Sequence, residues 1–155
     1  MDKFEMIDEN DLEILKEIGV KLQQENDFWY IEYAIHFSQA ITKISDHDIT
    51  SVVVFGDVLD GKKVKYIDIF IVSDKPFDNE IIKGIEKDLK TTREYRELKK
   101  RKLGTQFRVV TFTPSEVEKN PPILSQVTKE GLPLLDTDDF MLKRMEDYET
   151  MDIQY

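Results

Sequence analysis

The segment Phe55-Gly56-Asp57, followed after eight residues by Tyr66-Ile67-Asp68-Ile69-Phe70-Ile71-Val72-Ser73-Asp74, says more about this chain than any other part of it. From Ile67 to Val72 every residue is apolar except one carboxylate. An ionised carboxylate buried without a partner costs several kcal/mol, so Asp68 must meet water at a cleft, a cation, or hydrogen-bond donors. Strand alternation puts Asp68 on one face with Tyr66 and Phe70. A strand acid held by backbone N–H groups would meet the same demand with no function attached. Just upstream, Ile49 to Phe55 holds Val52-Val53-Val54 in succession, the pattern of a strand buried on both faces. The chain turns at Gly56-Asp57, and Asp60-Gly61 favours left-handed turn conformations. Two antiparallel neighbouring strands are therefore predicted, the second from about Val64 to Val72.

Working outward, Leu12, Leu15, Ile18 and Leu22 recur at helical spacing between Asp11 and Gln24, and a second helix is predicted after Asp27 as its N-cap. That helix carries Phe28, Trp29, Tyr30, Ile31, Tyr33, Ile35, Phe37 and Ile41, too many large apolar groups for one narrow stripe, so cover on both sides is expected. Packing of these aromatics against the sheet is favoured over a partner-binding role. Downstream, Asp78 can cap a long charged helix from about Asn79 to Lys102 that stops before Gly104. A strand follows at Gln106 to Phe112. Thr113-Pro114-Ser115-Glu116 is a capping box with proline at the first helical position. A second short helix, Ile123 to Glu130, is closed by Gly131. Leu132 to Leu135 then reads as an edge strand before an acidic helical tail, Asp138 to Met151.

Charge and composition narrow the function. Among 155 residues, 22 Lys and Arg stand against 32 Asp and Glu, giving a net charge of -10 that disfavours generic binding to nucleic acid or anionic membrane. There is no cysteine, which excludes thiolate chemistry, and two histidines argue against a histidine-rich metal centre, so any metal would be hard and oxygen-bound. No stretch approaches the length of a membrane span, and a cytoplasmic location is expected. The many charges and absent cysteine suit a thermophile.

The apolar strand, Phe55-Gly56-Asp57, the turn, and Tyr66 to Asp74 together resemble the minimal nucleotidyltransferase domains of the DNA polymerase beta superfamily, particularly its small archaeal members. Phe107-Arg108-Val109-Val110, Thr113 to Glu116, and Lys129-Glu130-Gly131 with Leu134 and Leu135 look like that family's closing strand and helices, so the resemblance spans Ile49 to Asp136. It implies an α/β fold, a small mixed sheet flanked by helices. The expected organisation is an N-terminal helical extension over 1–47, a nucleotidyltransferase-like domain over 48–137 and an acidic helical tail over 138–155.

In such a family a Gly-Ser pair cradles a nucleoside triphosphate (NTP), two strand acids at i and i+2 hold Mg2+, and a third acid projects from a later strand. The metals align an attacking hydroxyl with the alpha-phosphate and stabilise departing pyrophosphate. Carried onto this chain, the resemblance gives Gly56 and Asp57 as the nucleotide-binding pair, with Asp57 at the serine position. Asp68 is the second strand acid and the candidate metal and catalytic residue. Tyr66 stands at the first acid's place and Arg108 at the third's. Two models follow. In one, Asp57 or Asp60 completes an active Mg2+ site that moves NMP from an NTP to a hydroxyl of protein or RNA. In the other, Asp68 pairs with Arg108 in place of the metal, leaving a nucleotide- or partner-binding module, and this explains more of the pattern. Small stand-alone members commonly act with an all-helical partner, so such a partner or a homo-oligomer is implied.

Four other features of the sequence carry charge or titratable groups. Lys90, Arg93, Arg96, Lys99, Lys100, Arg101 and Lys102 against Glu94 and Glu97 give a local +5, leaving -15 for the rest. Arg96, Lys99 and Lys100 could contact phosphate or RNA, making an RNA-binding module a further alternative, although a solvated helix complementing its own dipole is favoured. His36 reads as a core or boundary histidine, and Asp46-His47-Asp48 as a polar turn. Asp136, Asp138 and Asp139 lack the glycine and terminal Glu of a calcium loop and read as a solvated N-cap region.

Overall fold

The structure is a computed structural model that describes residues 25–44 and 46–153, so the helix expected at Asp11 to Gln24 lies outside the described residues. Four strands, β1 (Ile49–Phe55), β2 (Tyr66–Ser73), β3 (Gln106–Phe112) and β4 (Leu132–Asp136), form one sheet in the order β3-β2-β1-β4. β1 is antiparallel to both β2 and β4, as expected for the first pair, whereas β2 and β3 run parallel. A parallel pair needs a crossover, and helices α2 (Asn79–Asp88) and α3 (Arg93–Lys100) supply it. Helices α1 (Asn26–Thr42), α4 (Pro114–Glu118), α5 (Ile123–Glu130) and α6 (Phe140–Ile153) complete the mixed α/β fold.

The centre of the sheet is buried on both faces, which is why Val52-Val53-Val54 of β1 and Ile69 to Val72 of β2 read as unbroken apolar runs. Val52, Val54, Ile67, Ile69 and Ile71 face a layer made by α1, α2 and α3, while Val53, Phe55, Phe70 and Val72 face α4, α5 and α6. Each fully buried Val, Ile or Phe contributes roughly 1.5–3 kcal/mol relative to exposure, so this central ladder anchors both layers. Helix α1 lays Trp29, Tyr30, Tyr33, Ala34, Phe37 and Ile41 into the first layer. Phe107 of β3 stacks with Tyr33 at 5.1 Å and with Phe37 at 4.1 Å between ring centroids. Among the described residues α1 presents one broad buried face to the sheet, with Ile31 and Ile35 half-buried beside it.

Several boundaries also differ from expectation. α1 starts at Asn26 with Glu25 at the cap position, so Asp27 sits in the first turn, where a negative charge suits the helix dipole. β2 begins at Tyr66 rather than Val64. The single helix expected from Asn79 to Lys102 is interrupted. A 3₁₀ turn at Leu89–Thr91 leads to Thr92 in extended conformation, and the Thr92 hydroxyl accepts the Tyr95 N–H at 3.2 Å to start α3 afresh. A threonine that competes for backbone donors breaks a helix in this way, and the re-aimed α3 buries Leu98 completely. The helix stops at Lys100 and the chain reverses through Lys102 at φ 60°, so Gly104 is not the stop. Its hydrogen is required elsewhere, because a Cβ there would come within 2.3 Å of the Val64 carbonyl oxygen.

The capping box forms as predicted: the Thr113 hydroxyl accepts the Glu116 N–H at 3.2 Å, and the Glu116 carboxylate accepts the Thr113 N–H at 2.9 Å. Asp136 caps α6 by accepting the Met141 and Leu142 N–H groups at 2.9 and 2.8 Å, and it also accepts the Ser51 hydroxyl at 2.5 Å. Half-buried Asp136 therefore ties β1 to α6, while Asp138 and Asp139 are exposed as expected of a solvated cap region. β4 is five residues long and contains Pro133, and on β3 the Phe107 N–H donates to the Glu86 carboxylate at 2.7 Å.

Candidate functional site

The end of β1 and the starts of β2 and β3 meet at one edge of the second face. Phe55 lies opposite Asp68 in the antiparallel register, and Asp68 lies opposite Arg108 in the parallel one. Gly56 leaves β1 at φ 92° and ψ -161°, a conformation that L side chains rarely adopt, and the Asp57–Asp60 turn then swings the chain back to β2. Because Asp68 shares its face with Tyr66 and Phe70, and only Phe70 lies under the helical cover, the carboxylate emerges where the buried layer ends. Gly56, Asp57, Tyr66, Asp68 and Arg108 consequently line one depression of about 360 Å³.

Within it the Arg108 guanidinium holds Asp68 bidentately, Nε donating to Oδ1 at 2.6 Å and Nη2 to Oδ2 at 3.1 Å. The carboxylate is 21% exposed and the guanidinium 63%, so this is a pair at a cleft rim and not a core ion pair. The hydrogen bond to Asp68, and then its charge, raise the Arg108 pKa above its ordinary value. Tyr66 lies between two cations, Lys65 at 5.4 Å and Arg108 at 5.6 Å from its ring centroid. Asp57 is exposed and 3.8 Å from the Lys62 ammonium. Among the described residues no three His, Asp or Glu side chains converge closely enough to hold a metal ion.

The sequence-derived residues thus gather at one place, with two exceptions. Asp60 does not line the depression, and Arg96, Lys99 and Lys100 lie elsewhere. Lys65 and Gln126 also line it, and neither was singled out in the sequence. Gln126 comes from α5, one of the helices that cover the second face, and nothing in its local sequence marks it.

The basic segment divides. Arg93 and Arg101 stack over Trp29 at 5.2 and 5.8 Å, and Arg101 pairs with Glu97 at 2.9 Å. Arg96 donates to the Thr91 carbonyl at 3.0 Å, which secures the helix break. Lys99 lines a different hollow, together with Lys90 and Lys102. His36 is a boundary residue 3.0 Å from Glu94, and His47 stacks on Phe77 at 3.9 Å within the Asp46-to-Asp48 turn.

No protein-family model and no curated protein matches the chain. Among solved structures it is similar to a mutant of the toxin–antitoxin MntA–HepT, with 15% identity over 76% of this chain and 87% of that one at a TM-score of 0.44. It is also similar to a toxin–antitoxin with AMP-PNP, at 14% identity, 77% and 89% coverage and a TM-score of 0.41. A third likeness is to a tri-AMPylated Shewanella oneidensis HEPN toxin in complex with MNT antitoxin, at 17% identity, 85% and 91% coverage and a TM-score of 0.39. No helix among the described residues is long and apolar enough to cross a membrane.

Proposed function

We propose that this chain is a nucleotidyltransferase-like protein whose site binds a nucleotide or a protein partner without efficient nucleotidyl transfer. The observation that carries this reading is the bidentate Arg108–Asp68 pair. Mg2+ takes near-octahedral oxygen coordination and is usually held by more than one group, but both oxygens of Asp68 already accept from a guanidinium. Tyr66 offers no carboxylate two residues before Asp68, and Asp57 faces Lys62 instead of Asp68. The donor set therefore does not fit a two-metal centre, and no catalytic step is drawn through one. A fixed cation opposite a retained acid balances its charge permanently, a balance that Mg2+ would provide only while bound. What remains is a hollow of small-ligand size in which Lys65 and Arg108 present positive charge beside an aromatic ring.

Calorimetric titration with ATP and GTP, with and without Mg2+, tests the reading. The native chain is expected to show no Mg2+-dependent step, and Tyr66→Asp combined with Arg108→Glu is expected to create one. Mg2+-dependent nucleotide binding by the native chain that vanishes in Asp68→Ala would overturn the reading and restore an active enzyme.

A further inference from the structure

We propose that the hollow between α2, α3 and the chain leading into β2 is a binding site for a compact oligophosphate, inorganic or carried on a nucleotide. It is the larger of the two depressions, about 700 Å³, and it shares only Val64 and Lys65 with the Asp68 hollow. Six lysines ring it from three separate segments: Lys65 before β2, Lys83, Lys87 and Lys90 along α2 and the turn after it, and Lys99 and Lys102 at the end of α3. A spacing of four residues puts Lys83 and Lys87 on one face of α2, and Lys90 follows in the 3₁₀ turn after it.

Three observations make this ring unlike an ordinary solvated surface. First, all six lysines are exposed, yet none reaches a carboxylate within ion-pair distance among the described residues. Glu86 is the only carboxylate in the lining, and it is committed to the Phe107 N–H. Second, six lysines against Glu86 make +5, and a net charge of -10 leaves -15 for the remainder of the chain. In a chain with 32 acids against 22 bases, clustering unpaired cations around a concavity costs mutual repulsion that a bound anion relieves. Third, the cations converge on a bowl instead of following a track. The walls also lack a stacking platform, since Tyr33 is fully buried with its hydroxyl donating to the Thr105 carbonyl, and the Tyr95 ring lies under Lys99 at 5.7 Å. The geometry favours a short, highly charged ligand.

Sodium tripolyphosphate, ATP and a single-stranded RNA oligonucleotide, titrated into the full chain at low and at physiological salt, test the proposal. Tripolyphosphate is expected to bind, more weakly as salt rises. Lys87→Glu and Lys99→Glu, on opposite walls, are each expected to weaken it about tenfold or more, the usual effect of losing a charge-assisted contact. Lys119→Glu, outside the ring, is expected to leave binding unchanged. ATP tighter than tripolyphosphate would identify a nucleotide as the source of the phosphates; equal affinity would identify the oligophosphate itself. RNA binding without tripolyphosphate binding, equal weakening by Lys119→Glu, or no binding of any of the three would overturn the proposal. Arg108→Ala leaves this hollow intact, so loss of tripolyphosphate binding there would place the anion in the Asp68 depression and overturn it too.

Discussion

Truncating the two members of the Asp68–Arg108 pair is expected to cost unequal amounts, and the inequality follows from their exposure. The guanidinium is 63% exposed and Asp68 only 21%. Asp68→Ala leaves a cation that turns to water, so the expected loss is below about 1 kcal/mol, the range of rim ion pairs. Arg108→Ala leaves a mostly shielded carboxylate without its two donors, for which about 1–3 kcal/mol is expected. The double variant removes both the pair and the orphaned charge, so its loss falls below the sum, with a coupling energy of about 1–2 kcal/mol. Urea unfolding of the four proteins measures this directly, and for a chain of this size each kcal/mol also moves the melting midpoint by roughly 2–4 °C. Raising the salt is expected to shrink the coupling only in part, because the bidentate geometry and partial shielding limit screening. Losses that add within about 0.3 kcal/mol, or a larger loss for Asp68→Ala than for Arg108→Ala, would refute the pairing and with it the charge-balance argument.

Gly104→Ala is expected to destabilise by at least about 2 kcal/mol, the scale of severe backbone and packing conflicts, because its Cβ would sit 2.3 Å from the Val64 carbonyl oxygen and 2.6 Å from that of Lys65; thermal melts check it. The Thr113 backbone N–H, and next its hydroxyl, hold the Glu116 carboxyl below its ordinary value of 4.5. A depressed acid stabilises above its unfolded value and loses that contribution as pH falls through its folded one. The capping box therefore weakens below about pH 4.5, and Glu116→Gln is expected to flatten this acid limb in melts recorded against pH.

The sheet was legible because its signals are local. Val52-Val53-Val54 and Ile69 to Val72 are unbroken because helices cover both faces, and the Thr113 box needs four adjacent residues. The pairing of Asp68 with Arg108 was legible as a possibility because both positions carried the same family resemblance, and the parallel β2–β3 register puts them opposite each other. The break at Thr92 was missed because charged residues at helical spacing continue on both sides of it, and a threonine reads as a helix start only when the next helix is known to point elsewhere. Reading Asp27 as a cap failed for a related reason: an acid suits the cap and the first turn alike. The lysine bowl was legible only in part, through Lys90, Lys99 and Lys102 of the basic segment. Arg96 and Lys100 come from a one-dimensional charge count, whereas Lys65, Lys83 and Lys87 join Lys99 only once the fold brings the segments before β2 and along the crossover to one hollow.

The two rims of the sheet have a consequence for how this chain behaves in company. A strand at a sheet border offers unpaired N–H groups to any passing strand, and association through them is a route to aggregation. On one rim, Glu86 occupies the Phe107 N–H; on the other, β4 is short, contains Pro133 with no N–H to offer, and meets β1 through an irregular register between Val52 and Val53. A sheet this apolar on both faces would be hazardous at its borders without such devices. Among the described residues, the highly apolar sheet therefore leaves its borders with less that another copy's strand could extend.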